Sequence, residues 1–353
     1  MSDIRTVGID LGKNVFHLVC MDEAGQIVTR RKCTRPQLFA FFKTLGRVLV
    51  GMEACASAHV IARTLVELGH DARLMPAQSV KPSLGAQKND VLDAEAIAEA
   101  VQRPRLRPVP IKTREQLDLQ AMHRVRDRLV SRRTAVSNQI RGLLVEHGIT
   151  MRKGRGGFRG VVPTLLLEDG PLSPAMHGLI GGLWEEWRAT DCAVKTLTRD
   201  LERLAREDAV CRRLMTVPGV GPLVATAMIA AVADGSAFGR GVAIAARTDG
   251  ATTATFAAWL GLVPRQMSTG GRTRLGGITK RGNTDLRRLF IHGARRFRLN
   301  GDRSRHRIGI WLDRLDGRAH KTVATVALAN KLARIAWSVL AGGREYEGLP
   351  AAS

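Results

Sequence analysis

Short apolar runs alternate with amphipathic stretches over the first hundred residues. Residues 4–29 predict two strands around a glycine-containing turn, with a second turn at residues 22–25, and residues 47–55 form another apolar run with a carboxylate near its end. Residues 59–77 predict a helix followed by a short strand, and residues 89–102 predict a helix that begins with acids. Strands that alternate with helices are typical of an α/β domain, which we expect to end at the prolines between residues 104 and 110.

Beyond about residue 113 the apolar spacing changes to that of long helices. In one stretch, apolar positions recur at alternating steps of four and three with one threonine among them. These positions are Leu183, Trp187, Thr190, Val194, Leu197, Leu201 and Leu204. The pattern predicts a helix–helix seam, either in an antiparallel hairpin within the chain or in a coiled coil between chains. The basic, glycine-rich segment 152–160 predicts a loop that is a linker or contacts nucleic acid.

The last third of the chain begins with a helix, a glycine-rich turn and a second helix over residues 214–232. Gly219 and Gly221 lie in the turn, and its backbone N–H groups would contact a phosphate if the element is a helix-hairpin-helix. A plain helical hairpin fits the same spacing. We therefore expect an α/β domain over residues 1–110, a helical coiled-coil region over 111–207 and a mostly α-helical carboxy-terminal domain over 208–345.

The charge of the chain indicates a polyanionic partner. Its net charge is +23 at pH 7 and its isoelectric point is about 11.2. Positive charge of this size attracts nucleic acid over long range, and binding gains free energy from counterion release. Only 11 of the 55 Lys and Arg residues are lysine, which suits bidentate phosphate contacts, although a GC-rich genome also enriches arginine. Aromatic residues make up 4% of the chain, which disfavours a stacking platform for single strands.

Cysteine, histidine and hydropathy patterns predict a soluble cytoplasmic protein. The five cysteines form no CxxC pair and no metal-binding spacing with histidine, which fits a reducing compartment. We interpret His17, His59 and His292 as structural or surface residues, because their spacing suggests neither a metal site nor a catalytic triad. Polar residues interrupt the first apolar run, and no stretch reaches the roughly 18 apolar residues of a membrane span, so we expect no signal peptide and no membrane association.

Four carboxylates occupy positions that suit metal binding. Asp10 follows one apolar run and Glu53 ends another, while Asp90 and Asp93 are spaced i, i+3 at a helix start and share one face. Each acid taken singly also fits a helix cap or a solvated strand end. Together, acids from two neighbouring strands and one helix can hold two Mg²⁺ ions roughly 4 Å apart, with Mn²⁺ as a substitute, for phosphodiester chemistry.

Several sequence blocks resemble one family of transposases. VGIDLGKNVFHLVCMDEAGQ, GMEAC and KNDVLDAEAIAEA are similar to the DEDD signature of the insertion-sequence 110 family, and PGVGPLVATAMIAAV and FAAWLGLVPRQMSTGGRTRLGGITKRGN resemble its later domains. The Ser-Thr-Gly-Gly block is most similar to the insertion-sequence 1111 branch. The resemblance implies an RNase H-like (RuvC-like) domain whose four acids bind Mg²⁺. It also implies action on donor and target DNA, guidance by a non-coding bridge RNA, assembly into a dimer or tetramer, and association with a bacterial nucleoid.

The resemblance further implies a serine nucleophile, which falls at Ser268, with Thr269 as the neighbouring hydroxyl. A phosphoserine link preserves the energy of the phosphodiester, so cut strands can be rejoined without a high-energy cofactor. Gly270 and Gly271 would let a DNA backbone approach closely. A basic turn is expected to hold the phosphate beside Ser268. The residues predicted to contact nucleic acid are Gly219, Gly221, Arg265, Lys280, Arg281 and Arg287.

The chain departs from the family pattern in two places. Residues 241–255 form an insertion, and the segment between Asp90 and Asp93 lacks the basic residues common in relatives.

Two other functions fit the same sequence. One alternative is a junction nuclease that cuts with metal-activated water and leaves Ser268 idle; the other is a catalytically inactive nucleic-acid binder. A covalent protein–DNA adduct distinguishes the recombinase from both, and metal-dependent cutting without an adduct distinguishes the nuclease from the binder.

Overall fold

The computed structural model describes residues 4–80, 90–104, 108–152, 154–167, 171–236, 238 and 256–348. The predicted insertion at 241–255 lies outside these residues. The chain divides into two compact units, one of Met1–Arg114 with Val232–Phe256 and the other of Glu115–Ala231 with Ala257–Ser353. The helical and carboxy-terminal regions that the sequence separates therefore share one unit, and their status as distinct domains stays a prediction.

The first unit contains a five-stranded mixed sheet. Its strands are β1 (Thr6–Leu11), β2 (Val15–Met21), β3 (Ile27–Thr34), β4 (Leu49–Glu53) and β5 (Asp71–Met75). The order across the sheet is β3-β2-β1-β4-β5; β1, β2 and β3 pair antiparallel, whereas β1, β4 and β5 pair parallel. The predicted α/β class of the amino-terminal domain is confirmed.

Helices cover both faces of this sheet. They are α1 (Arg35–Lys43), α2 (Ala58–Glu67), α3 (Ala77–Val80) and α4 (Asp90–Val101). Because side chains alternate along a strand, Val7 and Ile9 pack on the face that meets α1 and α2, and Gly8 lies on the face that meets α4. Each face thus has its own apolar core, and the strand ends between them remain available for polar side chains.

The second unit is mostly helical. Its elements follow one another as α5 (Arg114–Glu146), α6 (Arg155–Leu165), α7 (Pro174–Glu207), α8 (Ala209–Met215), α9 (Pro222–Val232), α10 (Phe256–Trp259), β6 (Pro264–Thr269), β7 (Arg272–Ile278), α11 (Thr284–Asn300), α12 (Arg307–Asp316) and α13 (Lys321–Gly342). His123 on α5 hydrogen-bonds to Thr226 on α9 at 2.9 Å, and Arg288 on α11 pairs with Asp127 on α5. These contacts join the long helices to the carboxy-terminal elements.

The predicted seam lies in an antiparallel hairpin of α5 and α7. Arg126 donates to Thr198 at 2.8 Å, and Arg133 donates to Asp191 at 2.7 Å, so positions ascend on one helix as they descend on the other. Trp187, with Val136 and Ile140 of α5, belongs to the apolar core between them. The structure therefore favours the hairpin within the chain over a coiled coil between chains.

The basic segment predicted as a loop is largely helical. Residues from Arg155 onward form α6, and Phe158 is buried against Trp184 and Trp187, with ring centroids 5.6 and 5.1 Å away. The glycines suggested a loop, but burial of one large aromatic side chain outweighs their weak helix propensity.

One helix in the described part of the chain, α13, has the length and hydropathy of a membrane span. Half of its most apolar 18-residue window is buried inside the protein, and the helix carries Asn330, Lys331 and Arg334. Leu328 and Leu332 are fully buried. These features are those of a core helix.

Candidate active site

Matching glycines place two acids on the same face of the sheet. Gly8 of β1 and Gly51 of β4 are register partners, and Asp10 and Glu53 follow each by two residues. Since a strand repeats every two residues, both acids lie on the face covered by α4. The pKa of the nearby Cys55 thiol is raised by its partial burial and by the charges of Glu53 and Asp10, as expected if both carboxylates meet at this edge.

The same glycines bring the start of α4 to those acids. A Cβ at Gly8 would lie 2.2 Å from the carbonyl oxygen of Ala94, so only glycine lets the helix contact the strand backbone. Asp90 and Asp93 precede the buried Ala94 and Ile97 by four residues, which puts them on the helix face that meets the sheet. The four predicted acids, here called the acid group, therefore lie at one edge of the first unit.

The charges at this edge suit a cation. Burial raises the pKa of the Asp10 carboxyl above its ordinary value, the charges of Asp93 and Asp90 add to the rise, and His17 partly offsets it. The carboxylates of Asp93 and Asp90 thus make ionisation of Asp10 less favourable. A bound divalent ion would relieve this repulsion, so the donor set fits the metal site expected from the sequence.

His17 lies beside these acids, although the sequence interpretation treated it as a structural or surface residue. It lies opposite Asp10 in the antiparallel register of β1 and β2, and its Nδ1 is 3.6 Å from an Asp90 carboxylate oxygen. One ligand atom from each of Asp10, His17 and Asp90 lies within 4.8 Å of the others. The missed signal was the hairpin: a short turn at residues 12–14 fixes which residue of β2 faces Asp10.

Ser268 lies in a strand of an exposed hairpin formed by β6 and β7. The chain reverses at Gly270 and Gly271, whose φ angles of 55° and 73° suit a two-residue turn that needs positive φ at both positions. The Gln266 side-chain amide donates to the Ser268 hydroxyl at 2.9 Å, and Thr273 lies 3.4 Å from it. The sequence interpretation gave no secondary structure for Ser268, so its position in a strand comes from the structure.

The hairpin separates the two candidate hydroxyls. By its register, one face carries Gln266, Ser268, Thr273 and Leu275, and the other carries Met267, Thr269, Arg272 and Arg274. Apolar side chains are exposed on both faces, with Met267 68% and Leu275 57% accessible. Ser268 and Thr269 therefore cannot present their hydroxyls to the same phosphate from the same side.

The basic turn lies at the opposite end of the hairpin from Ser268. Ile278 at the end of β7 pairs with Pro264, four residues before Ser268. At about 3.3 Å per residue, those four residues span roughly 13 Å. Lys280 and Arg281 are exposed just beyond that end. Their expected place beside Ser268 is corrected accordingly: they flank the hairpin base, while Arg272 and Arg274 are closer to the serine along the strands.

Arg287 has a different environment from the other predicted nucleic-acid contacts. It is 8% exposed, and its guanidinium donates to the Leu260 carbonyl at 2.8 Å and the Arg281 carbonyl at 3.1 Å. Its charge is thus used to hold the turn that precedes α11. We therefore omit Arg287 from the proposed phosphate-binding residues, whereas Arg265 is exposed on β6 and remains among them.

The two turn glycines also differ. Gly219, with φ 78°, packs against α11 so closely that a Cβ there would lie 2.9 Å from the Gly293 carbonyl oxygen. A Cβ at Gly221 would meet nothing within 4 Å. Packing accounts for Gly219, and phosphate contact at either glycine stays a prediction.

Known proteins similar to this chain are transposases. Residues 7–149 match the DEDD transposase profile of the IS110 type, and residues 211–307 match the transposase profile of the IS116/IS110/IS902 family. A probable family 20 transposase of Pseudomonas aeruginosa is 45% identical over 343 residues, covering 96% of this chain and 97% of the relative.

Two transposases of insertion sequences show the same extent of similarity. The transposase for insertion sequence element IS1111A of Coxiella burnetii is 39% identical over 347 residues, covering 98% of this chain and 92% of the relative. The transposase for element IS1328 of Yersinia enterocolitica is 37% identical over 348 residues, covering 98% and 99%. The matched regions include both the acid group and Ser268.

Proposed function

This chain belongs to the IS110 family of insertion-sequence transposases, and we propose that it cuts and rejoins DNA with a metal site on the acid group and a nucleophile at Ser268. The observation that carries the metal site is the meeting of Asp10 and Asp90 at one sheet edge. The strand order β3-β2-β1-β4-β5 supports an RNase H-like, RuvC-like domain around it.

The metal would be held by Asp10, Glu53, Asp90 and Asp93. Carboxylate oxygens are the ligands that Mg²⁺ and Mn²⁺ prefer, and a cation here would offset both the burial and the repulsion from Asp93 and Asp90 that raise the pKa of Asp10. A bound Mg²⁺ would supply Lewis-acid stabilisation of negative charge on the phosphate oxygens. The protein would contribute by keeping these carboxylates close together. The close contact between α4 and Gly8 supports this role.

Ser268 would form the covalent link to DNA. Its Oγ attacks a phosphorus atom, the Oγ–P bond forms, and one P–O bond of the strand breaks. The serine proton passes to solvent, and the departing deoxyribose oxygen takes up a proton. The side-chain amide of Gln266, which donates to the Ser268 oxygen, would help to orient it, and the reverse reaction with a new deoxyribose hydroxyl would join the strands.

The exposed hairpin would present Ser268 to DNA. Among the described residues nothing buries β6 or the tip of β7. Arg272 and Arg274, which lie on the face opposite Ser268, would contact neighbouring phosphates of the bound DNA, and Lys280 and Arg281 would contact the backbone at the hairpin base. Exposed cations without a buried role fit binding to a polyanion.

Other partners of the protein are inferred from charge and resemblance. A net charge of +23 favours binding to both DNA and RNA, and the resemblance supports a non-coding bridge RNA as guide. Assembly into a dimer or tetramer, and a cytoplasmic location at the bacterial nucleoid, belong to the same proposal. A junction nuclease that uses the acid group alone is the second candidate, because the acid group lies in one unit and Ser268 in the other.

Substitution of Asp10 tests the proposed activity. Asp10→Asn should abolish Mg²⁺-dependent strand exchange between DNA substrates that carry the element ends, while DNA affinity stays within about twofold, because the substitution removes one metal-ligand charge and leaves every basic residue in place. Glu99→Gln is the matched control, since Glu99 is exposed on the same helix α4 beyond the acid group. Strand exchange by Asp10→Asn at the rate of the control would contradict the metal site.

A further inference from the structure

We propose that His17 is a metal ligand of this site, whose Nδ1 binds the same divalent ion as the carboxylates of Asp10 and Asp90. The inference rests on the proposed metal site and adds a nitrogen donor to its four acids. It bears on which divalent metal ion the site prefers.

The hairpin of β1 and β2 aims His17 at the acids. His17 is the register partner of Asp10, and side chains opposite each other in an antiparallel pair lie on the same face with Cβ atoms about 5 Å apart. Val19, two residues further along β2, packs with Ala94 and Ala98 of α4, which puts His17 under the start of that helix. The register with Asp10 and the packing of Val19 against α4 therefore both direct the His17 ring to the acid group.

The separations between donor atoms suit one shared ion. Ligands about 2.1 Å from a common metal lie about 3 Å apart at adjacent positions and about 4.2 Å apart at opposite positions. The Nδ1 of His17 is 3.6 Å from the Asp90 oxygen, and the donor atoms of all three residues lie within 4.8 Å of one another. The separation of His17 and Asp90 is about 0.6 Å longer than that of adjacent ligands, so small side-chain movements would bring these donors to a shared ion.

Burial keeps the ring in place. The His17 side chain is 17% exposed, whereas its partner Asp90 is 61% exposed. A mostly buried imidazole loses little entropy on binding a metal, because its orientation is already restricted. As a ligand through Nδ1, the neutral ring carries its proton on Nε2.

A nitrogen donor changes the metal preference. Sites built of carboxylates and water suit Mg²⁺, whereas imidazole favours first-row transition metals. With His17 coordinated, the site prefers Mn²⁺ to Mg²⁺ more strongly than the carboxylates alone would. The competing role for His17 is an ion pair with Asp90 that makes no metal contact, and this role predicts no change in metal preference.

Pulsed EPR of Mn²⁺ bound to the full chain separates these roles. The wild-type spectrum should show hyperfine coupling to an imidazole nitrogen, and uniform nitrogen-15 labelling of histidine should change that coupling. His17→Asn should remove the coupling and lower the ratio of Mn²⁺ to Mg²⁺ affinity about tenfold or more. The matched control is His147→Asn, an exposed histidine at the end of α5, which should leave both quantities unchanged.

Two outcomes overturn different statements. Mn²⁺ that binds in wild type and is lost in Asp10→Asn, but shows no nitrogen coupling, would overturn the assignment of His17 and leave the acid group in place. Mn²⁺ binding that is unchanged in Asp10→Asn would overturn the proposed metal site itself. The wild-type spectrum decides the His17 assignment even if His17→Asn fails to fold.

Discussion

At the scale of single residues, Asp191 shows how this arginine-rich chain accommodates a buried charge. Its side chain is 4% exposed and contacts three cations, Arg133 at 2.7 Å, Lys195 at 3.1 Å and Arg159. Burial alone would raise the pKa of this carboxyl, but hydrogen bonds from Lys195 and Arg133 outweigh it, so the pKa lies below its ordinary value. The carboxylate thereby ties α5, α6 and α7 together.

Removal of this carboxylate should destabilise the second unit. Asp191→Asn leaves the mostly buried guanidinium of Arg133 without its counter-charge, whereas Arg159 and Lys195 are partly exposed and screened by water, so we expect a cost of about 1–3 kcal/mol. Because the pKa is lower in the folded state, the stabilisation is present above about pH 4 and is lost as the pH falls through the folded-state pKa. Thermal unfolding at pH 7 and pH 3 checks this, with Glu185→Gln in an exposed pair as control. A pH-independent difference from wild type would contradict the assignment.

Residue type and spacing predicted the acids better than the basic residues. Asp10 and Glu53 each lie near the end of an apolar strand, and strand periodicity puts each on the face of the glycine two positions before it; the register of Gly8 with Gly51 makes this the same face. Arg287 could not be distinguished from its exposed neighbours, because only the fold reveals the carbonyls of Leu260 and Arg281 that its guanidinium meets. His17 required the strand register, which a single sequence does not provide.

At the scale of elements, the hairpin of β6 and β7 is the part best suited to act on a partner. A two-stranded hairpin is marginal in water, and this one gains little from packing, since its strands are exposed. Its shape depends on the turn at Gly270 and Gly271, which needs positive φ at both residues. The sequence interpretation assigned Gly270 and Gly271 to the close approach of a DNA backbone. The structure gives these glycines a conformational role in the turn.

Substitutions in this turn should separate function from stability. Gly270→Val strains a left-handed position and should lower DNA joining at least about tenfold, because it disturbs the register that presents Ser268. Gly270→Asn is the matched control, since asparagine tolerates this conformation. The melting temperature should change by less than about 2 °C in both, because the hairpin contributes little packing. Equal joining by the two variants would contradict the presentation role of the turn.

At the scale of the whole molecule, the sequence revealed the charge of the chain but not how its regions group into compact units. The net charge of +23 was evident from the sequence, as were the α/β and helical regions. The grouping of the helical and carboxy-terminal regions in one unit was not, because it depends on tertiary pairs such as that of Arg288 with Asp127. Such pairs link residues far apart in the chain and have no local sequence signature.

Affinity for nucleic acid should fall steeply with salt. The logarithm of the affinity decreases in proportion to the number of phosphates neutralised, so Arg281→Gln should weaken binding to all DNA sequences and reduce the salt slope by about one. Arg287→Gln should instead lower the melting temperature, since that guanidinium is hydrogen-bonded inside the protein. Fluorescence anisotropy at several salt concentrations measures the salt slopes of the wild type and of Arg281→Gln. An affinity that is insensitive to salt would refute the charge argument.

The most direct test of the central claim is to map the covalent protein–DNA adduct by mass spectrometry. Wild type, incubated with Mg²⁺ and DNA that carries the element ends, should yield a DNA fragment linked to Ser268. Ser268→Ala should bind DNA but form no adduct, and Thr269→Ala should retain it, because Thr269 lies on the other face of the hairpin. A link at any residue other than Ser268, or an undiminished adduct in Ser268→Ala, would contradict the account.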